Sequence, residues 1–229
     1  MKCAIIISGI SGSGKSSVAY KLIEKHPDLY SLSRSATSRA RRENDKGKDE
    51  YLFMSREEFQ TLIENKDMVE STEYSGNLYG TPKSELERII FEGKCPVLVL
   101  EFNGVKSFKT ANLPFPVFSF YVYENINVIE QRLYDRDLKN NPTEENLVTF
   151  RKRKQDNIND YLDAPMRVGY YDAYIKNSSL DACVSAIEYC LAALSGRERG
   201  DAPFEAALAE TEKKAVADSL ANQAREKAQ

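Results

Sequence analysis

The chain has 229 residues, 41% hydrophobic and 29% charged, with a net charge of −3 at pH 7. This is the balance of a soluble globular protein that can bury one sizeable core. A near-neutral total gives no general attraction to nucleic acid or to a membrane surface. No apolar stretch is long enough to span a bilayer, and the chain reaches its first apolar strand too early for a signal peptide, so a cytoplasmic location is expected. The four cysteines, Cys3, Cys95, Cys183 and Cys190, form no C-x-x-C pair, and His26 is the one histidine. Zinc frameworks, disulfides and histidine-dependent hydrolysis are therefore disfavoured, and buried free thiols are the simpler reading.

The first predicted element is a buried strand, Ala4-Ile5-Ile6-Ile7. Directly after it, residues Gly9-Ile10-Ser11-Gly12-Ser13-Gly14-Lys15-Ser16 match G-x-x-x-x-G-K-[ST] without a mismatch. A helix-compatible run from Ser17 to Ile23 follows. Strand, glycine loop and helix in this order form a phosphate-binding P-loop. Its backbone N–H groups and the helix N-terminus attract phosphate oxygens. Lys15 can reach the outer phosphates, and the Ser16 hydroxyl can bind Mg²⁺. His26 precedes Pro27 and reads as a helix-end residue.

Residues 33–80 are polar and short-periodic, with a helix-like piece from Arg56 to Asn65. They read as a small insert with short strands. A helix is expected over Thr81 to Glu92, opened by a capping Thr81 and by Pro82 in the first turn. Core strands are expected at Pro96–Leu100, Val117–Tyr123 and Ala173–Ile175. Helices are expected at Asn127–Arg136 and Leu180–Leu194. Residues 137–150 read as a mobile loop around Asn140-Asn141-Pro142. Strands alternating with helices indicate an α/β fold, a parallel sheet with helices on both faces. Ser195 to Gly200 reads as a linker. Asp201 to Gln229 carries few large apolar residues and reads as a marginal helix or a disordered tail, dispensable for activity.

A P-loop marks a nucleotide site but not a reaction. The acceptor signal lies in Ser35-Ala36-Thr37-Ser38-Arg39-Ala40-Arg41-Arg42, where three arginines fall in four positions among hydroxyls. Guanidinium groups bind phosphate oxygens bidentately. Then come Glu50-Tyr51-Leu52-Phe53, Met68-Val69-Glu70 and Tyr79-Gly80-Thr81. A carboxylate such as Glu70 can accept two N–H bonds from the edge of a guanine ring, a pattern that adenine does not offer.

With the P-loop, this block resembles guanylate kinase over roughly residues 3–190. The family's second signature looks like S-x-T-T-R-x-P-R, D-Y-x-F, F-[IL]-E and Y-G-[TS], and the spacing is kept. The resemblance implies a P-loop kinase fold with an acceptor insert (33–81), a core (1–32 and 82–195) and a lid at about 135–153, all within a domain of residues 1–195, followed by a tail at 196–229. It implies ATP as donor, held by Gly9, Ser11, Gly12, Ser13, Gly14, Lys15, Ser16 and Ser17, with Asn177 near the adenine and Mg²⁺ on Ser16. It implies GMP as acceptor. Ser35, Arg39, Arg42, Tyr51 and Tyr79 match the residues on its phosphate. Glu70 and Thr81, beside Gly80, match those on the base, and Glu101 offers a further carboxylate. The implied catalytic residues are Lys15, Arg39, Arg136 and a later lid arginine, for which Arg153 fits the spacing and Arg151 competes. Arg132 matches an earlier arginine at the start of the lid.

The chain departs from the family pattern at Ile10, where a proline is common, at Arg41 for the proline between two acceptor arginines, and at Val99-Leu100-Glu101 for Asp-x-Asp. Val99 removes one carboxylate from the Mg²⁺-water network, which bears on rate more than on reaction. The run Arg151 to Lys154 also resembles a nucleic-acid patch, but no aromatic residues are interleaved to stack bases. The implied partners are ATP and GMP, with no nucleic acid and no membrane, in a monomer or homodimer. Two alternatives stay open: a non-catalytic interaction domain of the same family, and a kinase of this fold with another acceptor, dGMP included.

Overall fold

The computed structural model describes residues 2–41, 51–74, 76–194 and 210–228. In chain order the elements are β1 (Ala4–Ser8), α1 (Lys15–Lys25), β2 (Tyr30–Leu32), β3 (Ser35–Thr37), β4 (Tyr51–Phe53), α2 (Arg56–Glu64), β5 (Met68–Tyr74) and β6 (Asn77–Pro82). They continue with α3 (Lys83–Phe91), β7 (Cys95–Val99), α4 (Phe102–Thr110), β8 (Val117–Tyr123), α5 (Ile126–Asp137) and α6 (Glu144–Asp163). A 3-10 segment (Ala164–Tyr170), β9 (Ala173–Lys176), α7 (Leu180–Leu194) and α8 (Glu210–Ala228) complete the chain. The five-stranded sheet has the order β2-β7-β1-β8-β9, and β2 with β7 and β8 with β9 run parallel. The expected α/β class with a helix-flanked parallel sheet is observed. The long apolar strands are buried along their length, as parallel strands covered by helices require.

The chain divides into two compact units, Met1–Ile6 with Leu22–Phe118 and Ile7–Lys21 with Ser119–Gln229. The first contains a four-stranded sheet, β4-β3-β6-β5, within the expected insert. Its small core is Ala36, Phe59 and Leu78, with Leu52, Met54, Ile63 and Met68 packed around them. Helix α2 starts with a complete capping box: Ser55 Oγ accepts the Glu58 N–H, and Glu58 accepts the Ser55 N–H. In the second unit the core is formed by β8, β9 and the inward faces of α5, α6 and α7.

Three expectations change. Thr81 and Pro82 finish β6 rather than open α3; Thr81 pairs with Glu70 across the ladder, and its hydroxyl binds the Glu70 carboxylate instead of capping. The loop expected at 137–150 is short. Thr143 Oγ1 accepts the Asn146 N–H, Glu144 and Glu145 favour the helix dipole, and α6 runs from Glu144 for 20 residues. Of the two alternatives for the tail, residues 210–228 take the helix, and it is packed rather than marginal. Ala217, Leu220, Ala221 and Ala224 are buried, and α8 packs against α5, α6, the 3-10 segment and β9. Small side chains let helix backbones approach closely, so the stripe packs with Leu220 as its one large apolar group. The linker expected at 195–200 lies outside the described residues.

Candidate active site

The residues expected on the donor side lie in the second unit. β1 ends at Ser8, the glycine loop turns back, and α1 starts at Lys15. Gly14 has φ 92°, which favours glycine, and a Cβ there would displace Asn177 Nδ2, 2.3 Å away, from its place beside the loop. The loop is held from outside at both of its serines. Asn157 of α6 accepts the Ser11 N–H (3.0 Å) and donates Nδ2 to the Ser11 carbonyl (2.8 Å). Asn177, directly after β9, donates Nδ2 to the Ser13 carbonyl (2.8 Å). Arg132 of α5 donates to the Asn177 carbonyl (3.2 Å) and reaches the Ser13 carbonyl at 3.5 Å. Lys15 Nζ lies 3.5 Å from the Ile10 carbonyl, and the Ser16 and Ser17 side chains are exposed in the first turn.

The two arginines expected in the lid share one carboxylate. Arg136 Nε donates to Asp137 (2.8 Å), and Arg153 donates to the other oxygen of Asp137 (2.6 Å). Burial opposes the charge on Asp137, but the two guanidinium groups outweigh it and hold its carboxyl below the usual range. Arg151 is exposed on the same helix. Arg153 thus shares Asp137 with Arg136.

The residues expected on the acceptor side lie in the first unit, and sheet register sets them opposite one another. Ser35 lies opposite Tyr51, Thr37 opposite Tyr79, Ala36 opposite Gly80, and Glu70 opposite Thr81. Gly80 is necessary because a Cβ there would lie 2.5 Å from the Glu70 carbonyl. Arg39 is buried, with its guanidinium 5.3 Å from the ring centres of both Tyr51 and Phe53. Arg41 stacks over Phe53 at 4.4 Å. Tyr51 meets Tyr79 edge-on at 6.4 Å. Arg42 lies outside the described residues.

Glu70 accepts a 2.8 Å hydrogen bond from Thr81 Oγ1. Burial pushes its carboxyl above the ordinary range, and the Thr81 hydroxyl and backbone N–H pull it partly back. A cavity of about 410 Å³ opens beside it, lined by Glu70, Ser71 and Thr72 of β5 and by Asn103, Lys106, Ser107 and Thr110 of α4. Glu101 is exposed at the N-terminus of α4 and makes no capping hydrogen bond there.

Several contributors carry no sequence signal. Asn157 sits 146 residues from Ser11, and only the fold relates them. Glu85 of α3 accepts the Arg34 N–H and both arms of its guanidinium, together with Arg88, and so anchors the start of β3. Asp137 was open to a closer reading, since it adjoins Arg136 in the sequence.

The family model for guanylate kinase matches residues 1–194. The chain belongs to the guanylate kinase family. It is 34% identical to the guanylate kinase of Sus scrofa over 188 residues, which is 82% of this chain and 90% of the pig protein. It is 34% identical to that of Clostridium perfringens (strain SM101 / Type A) over 189 residues, 82% of each chain. The crystal structure of guanylate kinase from Anaplasma phagocytophilum is similar with a TM-score of 0.59 at 25% identity, covering 86% of this chain and 87% of that one. The guanylate kinase match thus ends at the last residue of α7, and α8 lies beyond it.

Among the described residues no three His, Cys, Asp or Glu side chains gather as a cation cage. A Mg²⁺ ion held here would take most of its ligands from nucleotide phosphates and water rather than from side chains. The exposed Ser16 hydroxyl, a hard oxygen donor at the foot of α1, fits that arrangement. Among the described residues no helix is long and apolar enough to cross a membrane.

Proposed function

We propose that this guanylate kinase transfers the γ-phosphoryl group of ATP to GMP. The observation that carries the acceptor assignment is the Glu70–Thr81 pair, fixed by ladder register and opening on a polar cavity. The ionised Glu70 carboxylate accepts two N–H groups from the guanine edge. Thr81 keeps one of its oxygens oriented. Adenine, with the opposite pattern on that edge, offers the half-buried carboxylate no second N–H and leaves Thr81 as its one partner there, which is costly.

The chain's residues align and compensate charge; none acts as a nucleophile. Backbone N–H groups from Gly9 to Ser16 surround the donor phosphates, and Lys15 supplies charge at the transferring group. Mg²⁺ on Ser16 neutralises phosphate charge when it is bound. Arg39 and Tyr51, with Ser35, Tyr79 and Arg42, orient the acceptor phosphate for in-line attack. Arg136 and Arg153 complete the charge compensation when the lid closes and excludes water. Asp137 keeps the two arginines together until then. The protein acts in the cytoplasm as a monomer or homodimer.

Titration calorimetry with GMP and AMP tests the acceptor assignment. GMP binds the wild type and binds Glu70→Gln at least tenfold more weakly. Equal affinities of the two proteins for GMP would overturn it.

A further inference from the structure

We propose that α8 is a positioning element for the lid: it fixes the foot of α5 through Gln223 and ties α5 to α6 through Lys227. The proposal rests on the reading that Arg136 and Arg153 serve phosphoryl transfer.

The first N–H groups of a helix have no partner within it. At α5 the Ile126 N–H donates to Gln223 Oε1 of α8 (3.0 Å), 97 residues away, while Asn125 caps Asn127. One turn later Glu130 receives Lys227 of α8 (3.0 Å) and Lys154 of α6 (3.4 Å). A single carboxylate therefore joins three helices. Lys213, nearer the start of α8, donates to the Tyr171 carbonyl at the end of the 3-10 segment (3.2 Å). Between these polar ties, Ala217, Leu220, Ala221 and Ala224 are buried in the seam.

The two helices held in this way carry the lid chemistry. Arg132 and Arg136 follow Glu130 along α5. Arg153 immediately precedes Lys154 on α6, and Asn157 clasps Ser11 one turn on. A shift of α5 against α6 would separate Arg136 from Arg153 at Asp137 and loosen Asn157 on the P-loop. The acceptor residues Ser35, Arg39, Glu70 and Thr81 are carried by the other unit. Loss of α8 docking should lower kcat and leave KM for GMP in place.

The test uses full-length protein throughout. Ala221→Arg wedges the seam, Gln223→Ala removes the Ile126 acceptor, and Gln223→Glu keeps an acceptor oxygen. GMP-dependent ADP release and hydrogen exchange at the Ile126 amide are measured together. Ala221→Arg should lower kcat at least tenfold, with KM for GMP within twofold and faster Ile126 exchange. Gln223→Ala should lower kcat three- to tenfold, and Gln223→Glu should restore most of it. If Ala221→Arg fails to fold, the two Gln223 variants decide. Fast Ile126 exchange with wild-type kcat would overturn the proposal. So would a Gln223→Ala protein that loses KM for GMP in step with kcat. A wild type without GMP-dependent ADP release would overturn the reaction itself. In that case faster Ile126 exchange in Ala221→Arg still supports the hold of α8 on α5, and unchanged exchange overturns it.

Discussion

Lys15 stands half-buried in the first turn of α1 with its ammonium near the Ile10 carbonyl. Its charge should act on the transition state far more than on the fold. Lys15→Ala should lower kcat by at least about 10³-fold, on the order of 4 kcal/mol, with an unchanged melting temperature. Steady-state kinetics with calorimetric melting checks both; activity within tenfold of wild type would remove Lys15 from the chemistry. Glu70 makes a prediction in pH. Its carboxyl is raised by burial, so it protonates at a higher pH than an exposed carboxyl. In the proposed role, base recognition needs the ionised form. KM for GMP should therefore rise as pH falls through that raised value, up to about tenfold per pH unit below it. Glu70→Gln should start from a high KM and lack this part of the pH profile. A wild-type KM that is flat to pH 4 would contradict the assignment. Asp137 predicts a different split. Asp137→Ala frees Arg136 and Arg153 from their shared partner, and kcat should change while KM for GMP stays within twofold. Equal loss in both parameters, read from the same kinetics, would mean that the pair does not belong to the lid.

At the scale of elements, β3 depends on a buried carboxylate in α3. Burial alone would raise the Glu85 carboxyl; hydrogen bonds from Arg88 and Arg34 overcome this and bring it down to about 2. A folded-state value below the unfolded one gives stability that is present above about pH 4.5 and lost as pH falls towards 2. Because Arg88 is 39% exposed, the full linkage value is discounted for screening, leaving about 2 kcal/mol. Glu85→Gln should melt about 5 °C lower at pH 7 and lose less stability than wild type on acidification. Melting curves from pH 7 to 3 measure this, and identical acid slopes would refute it.

The strands that were legible in the sequence are those whose apolar runs are buried along their length, β1, β7, β8 and β9. So is α7, whose apolar spacing is regular. Helices α4, α6 and α8 were harder to read for a physical reason. They are polar along most of their faces, and α6 and α8 bury narrow stripes that only their partners define. Site legibility divides in the same way. Residues in motifs, such as Lys15, Arg39, Glu70 and Thr81, are candidates by spacing alone. Asn157, Glu85 and Gln223 act through contacts across 51 to 146 positions, and no local pattern records these.

For the whole molecule, the account holds that one chain combines a complete donor loop with an acceptor sheet built for guanine. The P-loop of the second unit and the Glu70–Thr81 pair of the first each meet one substrate's chemistry. Neither alone makes a guanylate kinase. The direct measurement is ADP release by the full-length protein with ATP and Mg²⁺, across GMP, dGMP, AMP, UMP and CMP as acceptors. The account predicts turnover with GMP, kcat/KM at least about 10²-fold lower with AMP, UMP and CMP, and loss of the GMP preference in Glu70→Gln. Comparable turnover of AMP and GMP, or no turnover with any guanine nucleotide, would contradict it.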